Sequence, residues 1–272
     1  MKVAYQGIGG SYSEAVAYNH FGKDADLVGY DIFEDVFEAV KNGEADYAVL
    51  PFENTITGSL SMNYDLLLKE GLYIIAEVFH RVKHNLMSHK GNDIKNIKTV
   101  YSHPQALEQC RDFLIKNKLK GIPEYDTAGS AKIVKERNNN EEAAIASELC
   151  ASIYNLDILE NDIEKNKHNI TKFFVLVKKE NIPKDIKKEK TSIVFKTKHY
   201  SGALVNCLQR LSKNDVNLTK LESRPIPENA WEYVFYADLD AGIEDENVKL
   251  ALTEMEATTE FVKVLGSYPK AK

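Results

Sequence analysis

Upstream of residue 178, short apolar runs alternate with segments whose apolar residues recur every three to four positions, which predicts strands alternating with amphipathic helices. Strands are expected at 3–6, 47–50, 72–79, 99–101, 122–125, 143–146 and 173–177, and helices at 12–20, 32–41, 104–116, 128–137 and 148–154. Alternation of this kind calls for helices crossing over a sheet, an α/β fold. Further on, the pattern reads strand 192–198, helix 202–213, strands 216–222 and 232–238, helix 245–257 and strand 261–265. That βαββαβ order is the ferredoxin-like arrangement. Between the two regions KKENIPKDIKKEK, 178–190, holds six lysines, three acids and a proline, the make-up of a solvated linker. The expected division is 1–178, a linker at 179–190, and 191–272.

A chain of 272 residues has room for two domains, and 43% hydrophobic with 28% charged residues supports packed cores. A net charge of −6 and a pI near 5.7 exclude the basic surface that nucleic acid requires. No apolar run reaches 18 residues, so no membrane span is expected. The opening MKVAYQGIGG reads as a strand and a glycine turn, with no charged and then apolar leader, and a cytoplasmic location is expected. Cys110, Cys150 and Cys207 each lie in an apolar helical pattern and are expected to be reduced core thiols. With no CxxC, HExxH or dense His/Asp cluster, neither a metal nor a cofactor is expected.

The candidate chemistry sits at strand ends. Ser11, Ser102, Thr127 and Ser147 each follow a strand and precede a helix, and Ser11 with Glu14 forms an S-x-x-E capping box. Each alone is an ordinary cap. Several converging on one cleft would form an anion site, because first-turn N–H groups and helix dipoles favour carboxylate or phosphate. The turn Gly7-Ile8-Gly9-Gly10 is no dinucleotide fingerprint, since Tyr12 stands where the third glycine belongs. Glu53 and Asn54 follow a buried strand, the place where open α/β sheets bind ligands. Asn169-Ile170-Thr171-Lys172-Phe173 leads into the last strand of the first region.

Taken in order, these segments resemble the prephenate dehydratase family. Gly7 to Ser13 is similar to its GxxG[ST][FY]S stretch, Glu53 to Gly58 to its ENSxxG motif, and His84-Asn85-Leu86 to its HNL segment. Ser102 to Cys110 matches SHPQALxQC, Thr127 to Ala131 resembles STAxAA, Ala143 to Ser147 matches AAIAS, and Asn169 to Phe173 resembles NxTRF. Further on, Gly202-Ala203-Leu204 and Glu222-Ser223-Arg224-Pro225 resemble the GAL and ESRP motifs of ACT domains, followed by Trp231-Glu232-Tyr233. The chain departs from the family at Lys172 for Arg, Ile8 for Pro, Thr55 for Ser and Ser201 for Pro.

The resemblance implies a two-lobed catalytic domain like periplasmic binding proteins, joined to a ferredoxin-like ACT regulatory domain. It implies loss of carbon dioxide and water from prephenate, giving phenylpyruvate, with inhibition by phenylalanine and a homo-dimer or homo-tetramer. Thr171 is then expected to serve the departing hydroxyl, with Glu53 and Asn54 beside it. Ser11, Ser13, Ser102, Gln109 and Thr127 would bind the carboxylates, and Lys172 would supply the countercharge. Gly202, Ala203, Leu204, Asn217, Leu218, Glu222, Ser223 and Arg224 would hold phenylalanine, the last three from across a dimer interface. Competing readings are an arogenate dehydratase, a non-aromatising prephenate decarboxylase, and an inactive amino-acid sensor or solute binder.

Overall fold

The computed structural model describes residues 1–226 and 229–271, with the side chains of 229–231, Trp231 among them, outside the described residues. Contacts divide the chain into two compact units: Met1–Leu60 with Phe79–Phe173, and Ser61–Val78 with Phe174–Lys272.

In the first unit the strand Lys2–Gln6 pairs in parallel with Asp26–Tyr30 and Tyr47–Asn54, and the helices Tyr12–Phe21 and Phe33–Asn42 make the crossovers. Val3, Ala4, Ala48, Val49 and Leu50 are fully buried, as strands covered on both faces demand. A second sheet runs Asp157–Glu160, Asn85–Ser88, Glu142–Ala146, Thr99–Ser102, Lys120–Pro123. Its last two pairings are parallel, and the helices Thr127–Arg137 and Glu148–Tyr154 pack with it. The helix expected at 104–116 is two, Pro104–Gln109 and Arg111–Lys116, parted at Cys110 by a backbone of φ −102°, ψ 10°. The strands Asp26–Tyr30, Asn85–Ser88 and Asp157–Glu160 and the helix Ser61–Glu70 were not expected.

The glycine turn clamps the helix Glu148–Tyr154 of the second sheet. Gly10 has φ +94°, and a Cβ there would lie 2.5 Å from Cys150 Sγ. Its carbonyl accepts from Ser147 Oγ at 2.6 Å, and the Gly9 carbonyl accepts from Tyr154 Oη at 2.7 Å. Only glycine combines that backbone with so close an approach.

The second unit shows the expected order: Lys190–Thr197, Ala203–Lys213, Leu218–Ile226, Asn229–Leu239, Glu246–Glu256, Thr259–Tyr268. Both helices cover one sheet face, closing a core of Ile193, Phe195, Cys207, Leu211, Val248 and Met255. The division by contacts departs from the expected 1–178, 179–190 and 191–272, because Ser61–Val78 packs in this unit. Gly266 pairs with Ile74, the rings of Tyr64 and Tyr236 lie 4.9 Å apart, and Lys263 Nζ donates to the Leu68 carbonyl at 3.1 Å.

The lysine-rich run also ends differently from a solvated linker. Lys190 begins a strand, is 8% exposed, and donates to Glu77 Oε2 at 2.7 Å, with Asp238 Oδ2 3.9 Å away. Asp238 accepts in turn from Ser192 Oγ at 2.6 Å. Two buried carboxylates require a cation nearby, and the run supplies it.

Lys190→Met is expected to destabilise the protein by roughly 3–5 kcal/mol, the cost of stranding a buried partner charge. Adding Glu77→Leu should recover most of that loss. Denaturant midpoints of the single and double variants test this, and a Lys190→Met midpoint equal to wild type would show that the buried pair has no stabilising role.

Candidate active site

A cavity of about 300 Å³ opens within the first unit where three helix starts face one another. Ser11, Tyr12 and Ser13 come from Tyr12–Phe21 and its cap, His103, Gln105 and Ala106 from Pro104–Gln109, and Asp126 and Thr127 from Thr127–Arg137. First-turn N–H groups have no intrahelical acceptor, so three such ends favour anionic ligands.

Half of the capping box forms: Ser11 Oγ accepts from Glu14 N at 3.2 Å, whereas Glu14 Oε2 accepts from the N–H of Gly10, one residue before the cap, at 2.6 Å. At the other two helices the cap is the neighbour of the residue expected. His103 Nδ1 accepts from Gln105 N at 3.2 Å, and Asp126 Oδ1 accepts from Gly129 N at 2.5 Å. Thr127 is therefore the first helical residue and lines the cavity, whereas Ser102 is fully buried and donates to the Ile145 carbonyl at 2.6 Å.

The cavity wall is one chain of hydrogen bonds with a fixed direction. Asn54 Oδ1 accepts from Ile56 N at 2.9 Å and Thr57 N at 3.1 Å, which holds the amide in one orientation. Its Nδ2 then donates to Asn169 Oδ1 at 2.7 Å and to Thr171 Oγ1 at 2.9 Å. Asn169 Nδ2 donates to Gln109 Oε1 at 3.0 Å, and His84 Nε2 lies 2.7 Å from the same oxygen. An amide oxygen only accepts, so His84 carries a proton on Nε2, and its Nδ1 lies 2.9 Å from Tyr12 Oη, whose single proton has a second acceptor in the Lys83 carbonyl at 2.6 Å. Burial pushes the His84 imidazole pKa down, against opposing effects of Gln109 and Glu164, which favours the neutral form.

Two consequences follow for a ligand. Thr171 Oγ1 is already an acceptor, so its own proton is available to the cavity. Gln109 Oε1 takes two donors, so the Gln109 amide N–H groups face the cavity as donors. Among the described contacts neither group donates to protein. The wall thus offers protons to a ligand and few acceptors.

Thr171, Asn54, Ser11, Ser13, Gln109 and Thr127 line the cavity as expected, and Glu53, Lys172 and Ser102 do not. Strand alternation explains the first two. Asn169, Thr171 and Phe173 face the cavity, while Lys172 between them bonds Glu53 at 2.9 Å, itself next to the inward Asn54. The same alternation, applied to Thr171, would have brought in Asn169 from the sequence. Tyr12, His84 and Asp126 carried no comparable signal, because nothing local marks a residue whose partners are distant in the chain. The thiols of Cys110, Cys150 and Cys207 are buried and unbonded to one another, and burial pushes that of Cys150 up to about 12.

In the second unit Gly202 is left-handed at φ +87° and starts the helix Ala203–Lys213. Gly202, Ala203 and Leu204 line a surface cleft formed by residues 197–205. Asn217, Leu218, Glu222, Ser223 and Arg224 are not part of it. Leu218 packs against the helix-covered core, Glu222 accepts from Lys220 Nζ at 2.6 Å, and Arg224 pairs with Asp65 at 2.9 Å. A single chain therefore does not unite the two halves of the expected effector site.

The description of the prephenate dehydratase family matches residues 3–181. An Arabidopsis thaliana protein described as arogenate dehydratase/prephenate dehydratase 2, chloroplastic, is 40% identical over 278 residues, 99% of this chain and 73% of that protein. A solved structure described as GqqA, a novel type of quorum quenching acylase, superposes with a TM-score of 0.92 at 29% identity, covering 99% of this chain and 98% of the other. Prephenate dehydratase from Arthrobacter aurescens, solved in complex with L-Phe, superposes with a TM-score of 0.88 at 28% identity, covering 100% and 90%. With the family match spanning most of the chain and the Arabidopsis relative nearly all of it, the chain belongs to the prephenate dehydratase family.

Proposed function

We propose that the chain is a prephenate dehydratase acting in phenylalanine biosynthesis and restrained by phenylalanine. The observation that carries the reading is Thr171, whose oxygen is occupied by Asn54 and whose proton is left for the ligand. In the reaction the bond to the ring carboxylate breaks and releases carbon dioxide, its electron pair enters the ring, and the C4–oxygen bond breaks. The departing hydroxide takes a proton and leaves as water. Thr171 donates a hydrogen bond to that oxygen as charge develops on it, an interaction stronger in the transition state than in the ground state. The three helix ends and Gln109 receive the carboxylates. A cavity near 300 Å³ suits so compact a molecule.

Arogenate is the second reading, favoured by Asp126. It lines the cavity as a carboxylate, and an ammonium meets it better than a keto oxygen does. The likeness to an acylase adds no third. Among the described residues His84 and His103 make no hydrogen bond to a Ser or Thr hydroxyl, the arrangement that activates a nucleophile for acyl transfer.

The βαββαβ segment is the proposed ACT-type regulatory domain, supported by its element order and by left-handed Gly202. We place the missing half of its effector site on a second copy, so the working form is a homo-dimer or homo-tetramer.

Purified protein given prephenate and arogenate in parallel should yield phenylpyruvate from the first, and turnover of arogenate alone would replace the first reading with the second. Thr171→Ala should lower kcat by about 10²- to 10⁴-fold with little change in KM. Asn54→Asp should do similar damage, because a carboxylate only accepts and would draw the Thr171 proton away from the ligand. Turnover at wild-type level in both folded variants would remove this hydroxyl from the mechanism.

Saturating phenylalanine should lower kcat/KM by roughly 5- to 150-fold and then have no further effect, as coupling between separate sites requires. A KM that climbs without limit as phenylalanine is added would place the amino acid in the cavity and sink the regulatory reading.

A further inference from the structure

The charges around the cavity do not match a dianionic ligand. Among the described residues that line it none is Lys or Arg, and Asp126 adds a negative charge. Lys172, the expected countercharge, lies on the Glu53 side of its strand. Helix ends supply only partial charges. The remaining lining groups able to become cations are His84 and His103.

The two differ in what a second ring proton would meet. On His103 it would confront the Gln105 N–H that Nδ1 now accepts at 3.2 Å, at a helix start where positive charge is disfavoured. On His84 it would meet Tyr12 Oη at 2.9 Å, and that hydroxyl also lies 2.6 Å from the Lys83 carbonyl. Turning its own proton to Lys83, Tyr12 can accept from Nδ1–H while Nε2–H stays on Gln109. Both charge states of His84 are therefore fully bonded, and Tyr12 is the rotor between them.

Every packed neighbour bears this out. The helix Tyr12–Phe21 presents Tyr12, and the helix Pro104–Gln109 with its cap presents Gln109 and the buried thiol of Cys110. The segment before Ile170–Val177 presents Glu164, whose Oε2 accepts from His84 N at 3.0 Å. Glu164 is balanced by Arg81 at 3.4 Å and Lys167 at 3.7 Å, and Asp162 by Arg81 at 3.7 Å. Of these charges Glu164 acts on His84 and favours its cation, against the larger effect of burial.

We propose that the ligand dianion enters together with a proton that lodges on His84, making its imidazolium the cavity's countercharge. The inference rests on the dehydratase reading and adds how that substrate is held. His84 is neutral in the empty site, where burial lowers its pKa, and the bound dianion raises it. Between those two values affinity is greatest at the acid end and falls about tenfold per pH unit as pH rises, because one proton is bound with the ligand.

Two measurements test this. Prephenate is titrated calorimetrically into the Thr171→Ala chain in phosphate and in Tris at one mildly alkaline pH, and the heats should differ by the uptake of about one proton. In the unmodified chain KM should rise with pH across that window while kcat stays flat. His84→Gln keeps an N–H for Gln109 Oε1 and takes no proton, so uptake and the KM slope should both vanish. Tyr12→Phe, which leaves Nδ1–H without its acceptor, should move the KM rise to lower pH. Equal heats in the two buffers, or an unchanged KM slope in His84→Gln, would overturn the countercharge and leave the dehydratase reading standing. Failure of the unmodified protein to convert prephenate would remove both.

Discussion

The orientation of one side-chain amide governs the cavity. Asn54 is held by two backbone N–H groups on its oxygen, so both protons of its nitrogen point at Asn169 and Thr171. Reversing that amide would set oxygen against oxygen at Asn169 and draw the Thr171 proton onto Asn54, leaving the ligand only an acceptor there. The next links inherit the direction: Asn169 gives to Gln109 and His84 gives to the same oxygen, with Tyr12 beyond, between His84 and the Lys83 carbonyl. Hydrogen bonds within such a chain reinforce one another in a poorly solvated site. What reaches the ligand is a set of neutral donors, suited to carboxylates and to a departing hydroxyl.

Much of this was legible in the sequence where a signal was local. The Ser11 cap, the helix Glu148–Tyr154 and the βαββαβ order were read from spacing alone, since caps and periodicity depend on neighbours in the chain. Motif letters placed Asn54, Gln109 and Thr171 in the site. The errors came from treating adjacent letters as one group. Glu53 and Asn54, or Thr171 and Lys172, occupy opposite sides of their strands, and a period of two separates what a motif joins. Ser102 failed differently, because a serine at a strand end caps a helix only if its hydroxyl is not already spent on a buried carbonyl.

Long-range contacts were not legible, and they account for the rest. Nothing near Lys190 in the chain announces Glu77, which makes a lysine in a charged run look solvated. Nothing near Gly10 announces Cys150, although the absence of a Cβ at one is what admits the sulfur of the other. The thiol there is packed like a small apolar group, and its burial suppresses the thiolate. The apolar helical pattern around Cys150 marks it as a core thiol, and what encloses it is a glycine 140 residues away.

The placement of Ser61–Val78 in the second unit bears on how the protein is made. On a ribosome that segment emerges well before the strands it packs with. Its strand Tyr73–Arg81 neighbours Thr259–Tyr268, and Lys263 reaches Leu68 across 195 positions. Nascent chain carrying the first unit therefore also carries a helix and a strand whose partners come later, Ile170–Val177 on one side of the strand and Thr259–Tyr268, the last to be made, on the other. Closure over such sequence distance is slow, and exposed apolar surface waiting for it invites association between chains. Expression yield and chaperone demand should thus depend on how quickly the C-terminal strand is delivered, a property of translation speed and temperature more than of the finished fold.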